Sequence, residues 1–199
     1  MRARLFHSVE QMASPQGLTS IAGSPVASVE REPFASDGFS GSTLERVQAT
    51  NGEAVLRFVL KHFSAERDWI MRATHDQQVR EVALFRGGVF ARMPDLCIVP
   101  TVAAAPEGAS WASLMVDVSD SLLPPGDAPV PTDDVRRMLD HLAALHGRFM
   151  EDESLQNPTL GLCALRDWIM MLSPAVGQRE TASGQANAVT GSLVQGWEA

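Results

Sequence analysis

The chain has 199 residues, of which 45% are hydrophobic and 20% charged, enough for one large domain or two small ones around a sizeable core. Its net charge of −8, from 24 acidic against 16 basic residues, argues against nucleic-acid backbones and anionic membrane surfaces as partners. A nucleotide stays open as a ligand, because one or two local cations suffice to hold it.

Residues 1–31 are rich in Ser, Ala, Gly and Pro. They predict a loosely packed lead-in with one helical turn near Val9 and Met12. From Glu32 to Phe63 the pattern is extended. A strand over 33–39 leads into the turn Asp37-Gly38-Phe39-Ser40-Gly41-Ser42-Thr43, and a second strand returns over 44–49. Asn51-Gly52 is a hairpin signal, since both residues tolerate positive φ. A third, mostly apolar strand over 54–61 follows, of the kind buried on both faces over much of its length.

Residues 64–93 predict a largely helical stretch. Thr74 and Gln77 have the spacing of a capping box, and Val79, Val82, Ala83 and Phe90 would line its inward face. Gly87-Gly88 weakens it near its end. Two more strands, over 97–104 and 111–118, flank the turn Pro106-Glu107-Gly108. The stretch 119–131 holds four prolines and a glycine and reads as a linker. Thr132-Asp133-Asp134 would cap the clearest amphipathic helix of the chain. Its stripe of Val135, Met138, Leu139, Leu142, Leu145 and Phe149 predicts core packing. A second helix is expected over 160–172, with Leu162, Leu165, Trp168, Ile169 and Leu172 on one face. The stretch 174–191 turns to small and polar residues, and apolar residues resume at Leu193, Val194 and Trp197.

The succession predicts an α+β fold: a five-stranded antiparallel sheet with one main helix inserted after the third strand, then a linker and helices. The expected divisions are 1–31 as lead-in, 32–118 as the sheet lobe, 119–131 as hinge and 132–199 as the start of an incomplete helical lobe.

Three features of the lobe point to chemistry together. A Gly-rich hairpin lets backbone N–H groups approach phosphate oxygens closely, with Ser40, Ser42 and Thr43 as further donors. Lys61, at the end of the third strand, would place a point charge on the α- and β-phosphates. Glu81, 20 residues later on a helix, would hold that lysine in place. Taken singly, each is commonplace: a turn, an edge charge, an exposed acid.

The runs Val59-Leu60-Lys61-His62-Phe63, Asp68-Trp69-Ile70-Met71-Arg72-Ala73-Thr74, Arg80-Glu81 and Leu114-Met115-Val116-Asp117-Val118-Ser119 resemble the N-terminal part of the aminoglycoside phosphotransferase family, of protein-kinase-like fold. Ala143-Ala144-Leu145-His146-Gly147-Arg148-Phe149 resembles the family's helix after the hinge, and the resemblance covers roughly residues 32–172. It implies ATP as cofactor, with Mg²⁺ in the intact enzyme, and transfer of the γ-phosphoryl group to a hydroxyl of a small molecule. It further implies that the Gly38-to-Ser42 turn and Lys61 hold phosphates and that Glu81 pairs with Lys61. Asp117 and Val118 would meet adenine at the hinge, with Met115 at the back of the pocket. The family's catalytic loop and its later metal-binding Asp have no counterpart in the 199 residues. His146-Gly147 is followed by Arg148 and lies within a helical pattern. No catalytic base and no metal ligand is assigned, and this chain alone is expected to be inactive. A non-catalytic nucleotide- or protein-binding module and a non-functional gene fragment are the alternatives.

Other signals lead nowhere. Cys97 and Cys163 lie in apolar runs without zinc spacing and predict buried free thiols of a reducing cytoplasm. The histidines are scattered, and His141 and His146 are five apart, which does not suit a metal pair on one helix face. The Gly38-to-Gly41 spacing also fits an RNA-binding GxxG loop, but that loop joins helices and is basic, whereas this one joins strands and follows Asp37. No apolar run approaches the roughly 20 residues of a membrane span, and the first residues do not read as a signal peptide, so a cytoplasmic location is expected.

Overall fold

The structure, a computed structural model, describes residues 4–34, 40–52, 54–122, 129–184 and 188–196. It is a mixed α+β fold built on a six-stranded, mostly antiparallel open sheet. The strands are β1 (Arg4–Leu5), β2 (Ser28–Phe34), β3 (Thr43–Asn51), β4 (Ala54–His62), β5 (Thr101–Glu107) and β6 (Ser110–Val116), in the spatial order β1-β5-β6-β4-β3-β2. The expected five-stranded antiparallel sheet is thus corrected by one strand. β1 pairs parallel with β5, Arg4 opposite Ala103 and Leu5 opposite Ala104. Two residues with a charge are too short a run to read as a strand.

The lead-in is also corrected. Helix α1 (Val9–Met12) is capped by the Ser8 hydroxyl, and α2 (Pro15–Ala22) by that of Ser14, with Pro15 in its first turn. Met12 and Leu18 are fully buried against one face of the sheet, among Val47, Phe58, Leu60 and Leu114. Each such side chain contributes about 2 kcal/mol of burial. Gly17 makes the close crossing of α1 and α2 possible: a Cβ there would collide with the carbonyl oxygens of Gln11 and Met12. Of the expectations for this segment, the helical turn at Val9–Met12 is present.

Asn51 and Gly52 turn the β3–β4 hairpin, Gly52 at φ +59°. Along β4, Phe58 and Leu60 are buried whereas Val59 and Lys61 are only half-buried. The strand is therefore covered fully on one face, not on both. The opposite face carries α4 (Arg80–Arg86), whose Val82 and Phe85 pack with Phe63, Met71, Val79 and Ala104.

The helical stretch expected over 64–93 is broken into α3 (Trp69–Ala73), α4 and a 3-10 turn at Phe90–Arg92. Thr74 closes α3 rather than opening a helix: its hydroxyl donates back to the Ile70 carbonyl at 2.7 Å. His75 and Val79 take positive φ, and the Asp76 carboxylate accepts the Arg80 N–H at 2.9 Å. Asp76 thus does the work expected of Thr74.

Helix α5 (Thr132–Phe149) begins where expected, but Pro131 occupies its cap position and no side chain caps it. Asp133 and Asp134 lie in the first turn, bonded to Arg136 and Arg137. The stripe predicted to pack into a core does not: Leu139 is 60% exposed, and no residue of α5 is buried. The second predicted helix shortens to α6 (Leu165–Met170), after a 3-10 turn at Pro158–Leu160 that ends on Gly161 at φ +62°. Trp168 and Ile169 are exposed as well. The small-residue stretch instead forms α7 (Pro174–Ala182) and reaches α8 (Ala188–Gly196). These helices join α3 through a cluster of Trp69, Ala73, Met171 and Val176. Glu180 of α7 is 1% exposed, and its carboxylate is met by the Arg72 guanidinium of α3.

Candidate functional site

Of the residues that the sequence singles out, Lys61, Glu81 and Met115 meet on the face of the sheet that carries α4, whereas Asp117 borders a cavity of the opposite face. Side chains alternate along a strand, and directly opposed residues share a face. Leu44 lies opposite Lys61, Lys61 opposite Ser113, Arg46 opposite Val59, and Val59 opposite Met115. Leu44, Val59 and Met115 are half-buried and form an apolar strip beside the lysine.

Lys61 and Glu81 are in contact. The ammonium nitrogen of Lys61 donates to Oε2 of Glu81 at 2.9 Å, both side chains about three-quarters buried. Oε1 of Glu81 accepts from the Ser113 hydroxyl at 2.8 Å and, more weakly, from that of Thr101 at 3.4 Å. The Lys61 nitrogen also stands 4.6 Å from the centroid of the Phe63 ring. Glu81 owes its position to the first turn of α4, which Asp76 fixes through the Arg80 N–H and the Arg80 guanidinium ties to the Gly161 carbonyl at 2.7 Å. The result is a cation on a strand, oriented by a helix carboxylate that hydroxyls from two other strands hold in turn.

The Gly-rich turn is only partly described: Gly38, like Asp37 and Phe39, lies outside the described residues. Ser40, Gly41 and Ser42 rest against the connection before α3. Ser42 donates to Oδ2 of Asp68 at 3.2 Å, and the Ser40 hydroxyl is 3.4 Å from that of Ser42. Gly41 has φ +93°, and a Cβ there would collide with the Arg67 carbonyl. Only glycine fits that position.

At the end of β6, the Asp117 N–H donates to the Arg57 carbonyl at 3.1 Å, and the Asp117 carboxylate accepts from the N–H and hydroxyl of Ser119. The Ser119 hydroxyl, then its N–H, hold the Asp117 carboxyl below its ordinary range; partial burial opposes them, and the charges of Arg57 and Arg46 add to the lowering. The Val118 carbonyl accepts from the Ser121 N–H at 2.8 Å. Two cavities flank the Lys61–Glu81 pair without including either residue. One of about 310 Å³ lies behind Thr101, between Phe85, Phe90 and Cys97. The other, of about 480 Å³, lies on the far face of the sheet between Ile21, Phe58, Val116 and Asp117. On the open strip beside Lys61 the cation and the apolar side chains of Leu44, Val59 and Met115 share a face, and neither cavity includes that lysine.

Three features escaped the sequence reading. Lys61 is the only lysine among the 16 Lys and Arg residues, a signal plain in the composition. The His62 ring lies between Glu107, at 2.8 Å from Nδ1, and Glu45, at 3.1 Å from Nε2. Those carboxylates meet only through the pairing of β3 with β4, β4 with β6, and β6 with β5. Cys97 and Cys163 are free but half-buried rather than buried.

Among the described residues, no group of three or more His, Cys, Asp or Glu side chains could hold a metal ion, and no single helix is long and apolar enough to cross a membrane. No protein-family model, curated protein or solved structure matches the chain.

Proposed function

We propose that the chain is the nucleotide-gripping part of an ATP-dependent small-molecule phosphotransferase, of the kind its motifs resemble. The observation that carries this reading is the 2.9 Å contact between Lys61 and Glu81, joining a strand to the helix inserted after it. Lys61 would neutralise phosphate charge while Glu81 fixes its reach. The turn at Ser40 to Ser42 lies one strand away, and Leu44, Val59 and Met115 offer an apolar bed for a base beside the phosphates. The order of β2 to β4, helices α3 and α4, then β5 and β6, with β4 between β3 and β6, supports this reading, while the parallel β1 is an addition to it.

Lys61 and the turn would take the phosphates, while no group of three or more His, Cys, Asp or Glu among the described residues could hold Mg²⁺. Lys61 and the turn bind and orient the nucleotide. The base and metal ligands of phosphoryl transfer are not among them, and the hydroxyl acceptor is unassigned.

A second reading, a protein-binding module, draws on one observation: the apolar faces of α5 and α6 are exposed, with Leu139, Leu165 and Ile169 all at 60% or more.

Thermal unfolding with and without ATP tests the first reading. At a ligand concentration 100 times the dissociation constant, stabilisation is about 2.7 kcal/mol. Wild-type protein is expected to melt at a higher temperature with ATP, and Lys61→Ala to show no rise. Equal responses in the two proteins contradict it.

A further inference from the structure

We propose that Asp68 is a positioning residue for the phosphate grip, latching the root of the Gly-rich turn to α3 and, through Arg72 and Glu180, to α7; the phosphate role rests on the nucleotide reading above.

Asp68 is 4% exposed, and its two oxygens are divided between two elements. Oδ1 accepts the N–H groups of Ile70 at 2.9 Å and Met71 at 3.1 Å, which caps α3. Oδ2 accepts the Ser42 hydroxyl at 3.2 Å. A helix cap needs one side-chain oxygen, and serine or asparagine supplies it as well. A carboxylate has a second oxygen to spare, and here it holds the turn. Gly41 leaves no room for a side chain there, since a Cβ would collide with the Arg67 carbonyl oxygen.

The latch continues beyond α3. Arg72 donates to the Ala65 carbonyl at 3.0 Å and to that of Glu66, which straps the 64–68 connection onto the helix. The same guanidinium meets the buried Glu180 carboxylate. Asp68 N–H donates to the Ser64 carbonyl at 2.8 Å, three residues beyond Lys61. Ser40 to Ser42, the connection after β4, α3 and α7 therefore form one hydrogen-bonded body, in which Ser40 to Ser42 keep a fixed place relative to Lys61.

This changes the part given to Ser42. Its proton goes to Asp68, so it orients the turn rather than donating to phosphate. Donors held in place before the ligand arrives need no reorganisation to bind it.

The test uses the whole chain with Ser42→Ala, which removes the latch and the weaker 3.4 Å contact with the Ser40 hydroxyl but leaves the α3 cap, and Asp68→Ser, which keeps a cap but cannot span both elements. Amide hydrogen exchange at residues 40–43 is read beside ATP titration. Both variants are expected to exchange about tenfold faster there and to bind ATP about fivefold to tenfold more weakly. Unchanged exchange in Ser42→Ala overturns the latch. Faster exchange with unchanged ATP affinity overturns the positioning role. If wild type and Lys61→Ala alike bind no ATP, the nucleotide reading fails and the positioning role with it, while exchange at residues 40–43 still decides the latch.

Discussion

Ser113 donates a 2.8 Å hydrogen bond to Oε1 of Glu81 and so leaves Oε2 to Lys61. Ser113 is fully buried between β4 and β5, with no water to replace the bond once it is lost. Ser113→Ala is therefore expected to lower stability by about 1 kcal/mol. It should weaken ATP binding as well, because Glu81 is then free to turn away from Lys61. Thr101→Val, which removes a bond of 3.4 Å, should do less on both counts. Urea unfolding and ATP titration of the two variants check the order.

Gly17 and Gly41 are each pressed against backbone carbonyls rather than against movable side chains. Ala at either position is expected to cost about 2 to 3 kcal/mol through overpacking, with strain at the φ of +93° added for Gly41. Gly23→Ala has open space around it and is the control; it carries only the cost of its φ of +73°. Midpoints of urea unfolding separate the three.

Glu180 and Arg72 are unequal partners. Glu180 is 1% exposed, while the Arg72 side chain is 26% exposed and also bonds the 65 and 66 carbonyls. Arg72→Met leaves the buried carboxylate with only the Arg179 guanidinium, at 3.7 Å, and is expected to destabilise by about 3 kcal/mol at neutral pH. Glu180→Gln leaves Arg72 with other partners and should cost about 1 kcal/mol. Equal losses, measured by urea unfolding, would contradict this asymmetry.

Burial by itself would raise the Glu45 carboxyl, but the Arg31 hydrogen bond and charge, with His62 alongside, outweigh it and hold the group below its ordinary 4.5. The folded state then binds fewer protons than the unfolded chain at mildly acidic pH. The stability from this group is complete above the ordinary glutamate value and disappears as pH falls through the lower, folded one. Glu45→Gln should be less stable than wild type at neutral pH, and the two should converge in acid. Parallel curves of urea midpoint against pH would contradict the linkage.

Much of the sheet was legible because its signals are local. Asn51-Gly52 names a hairpin, and the apolar run of residues 54–61 names a strand, although it read as buried on both faces and is fully covered on one. The Lys61-to-Glu81 spacing was legible too, since a strand end, a connection and a helix fit within 20 residues. What was not legible depends on partners distant in sequence. β1 exists only because Ala103 and Ala104 offer an edge, and α1 and α2 are ordered by a sheet formed later in the chain. Thr74 carries a cap motif that a back-bond to Ile70 overrides. The α5 stripe has the period of a core helix, yet period says nothing of what lies opposite, and among the described residues nothing buries it.

The Lys61 amine is the only lysine side chain in the sequence, which makes one measurement decisive. An adenosine analogue with an amine-reactive sulfonyl fluoride in place of its phosphates is incubated with the protein, and the modified peptide is located by mass spectrometry. If this lobe grips ATP as described, the label falls on Lys61 and excess ATP prevents it. Labelling of Lys61 that ATP leaves unchanged, or labelling confined to other residues, contradicts the nucleotide grip.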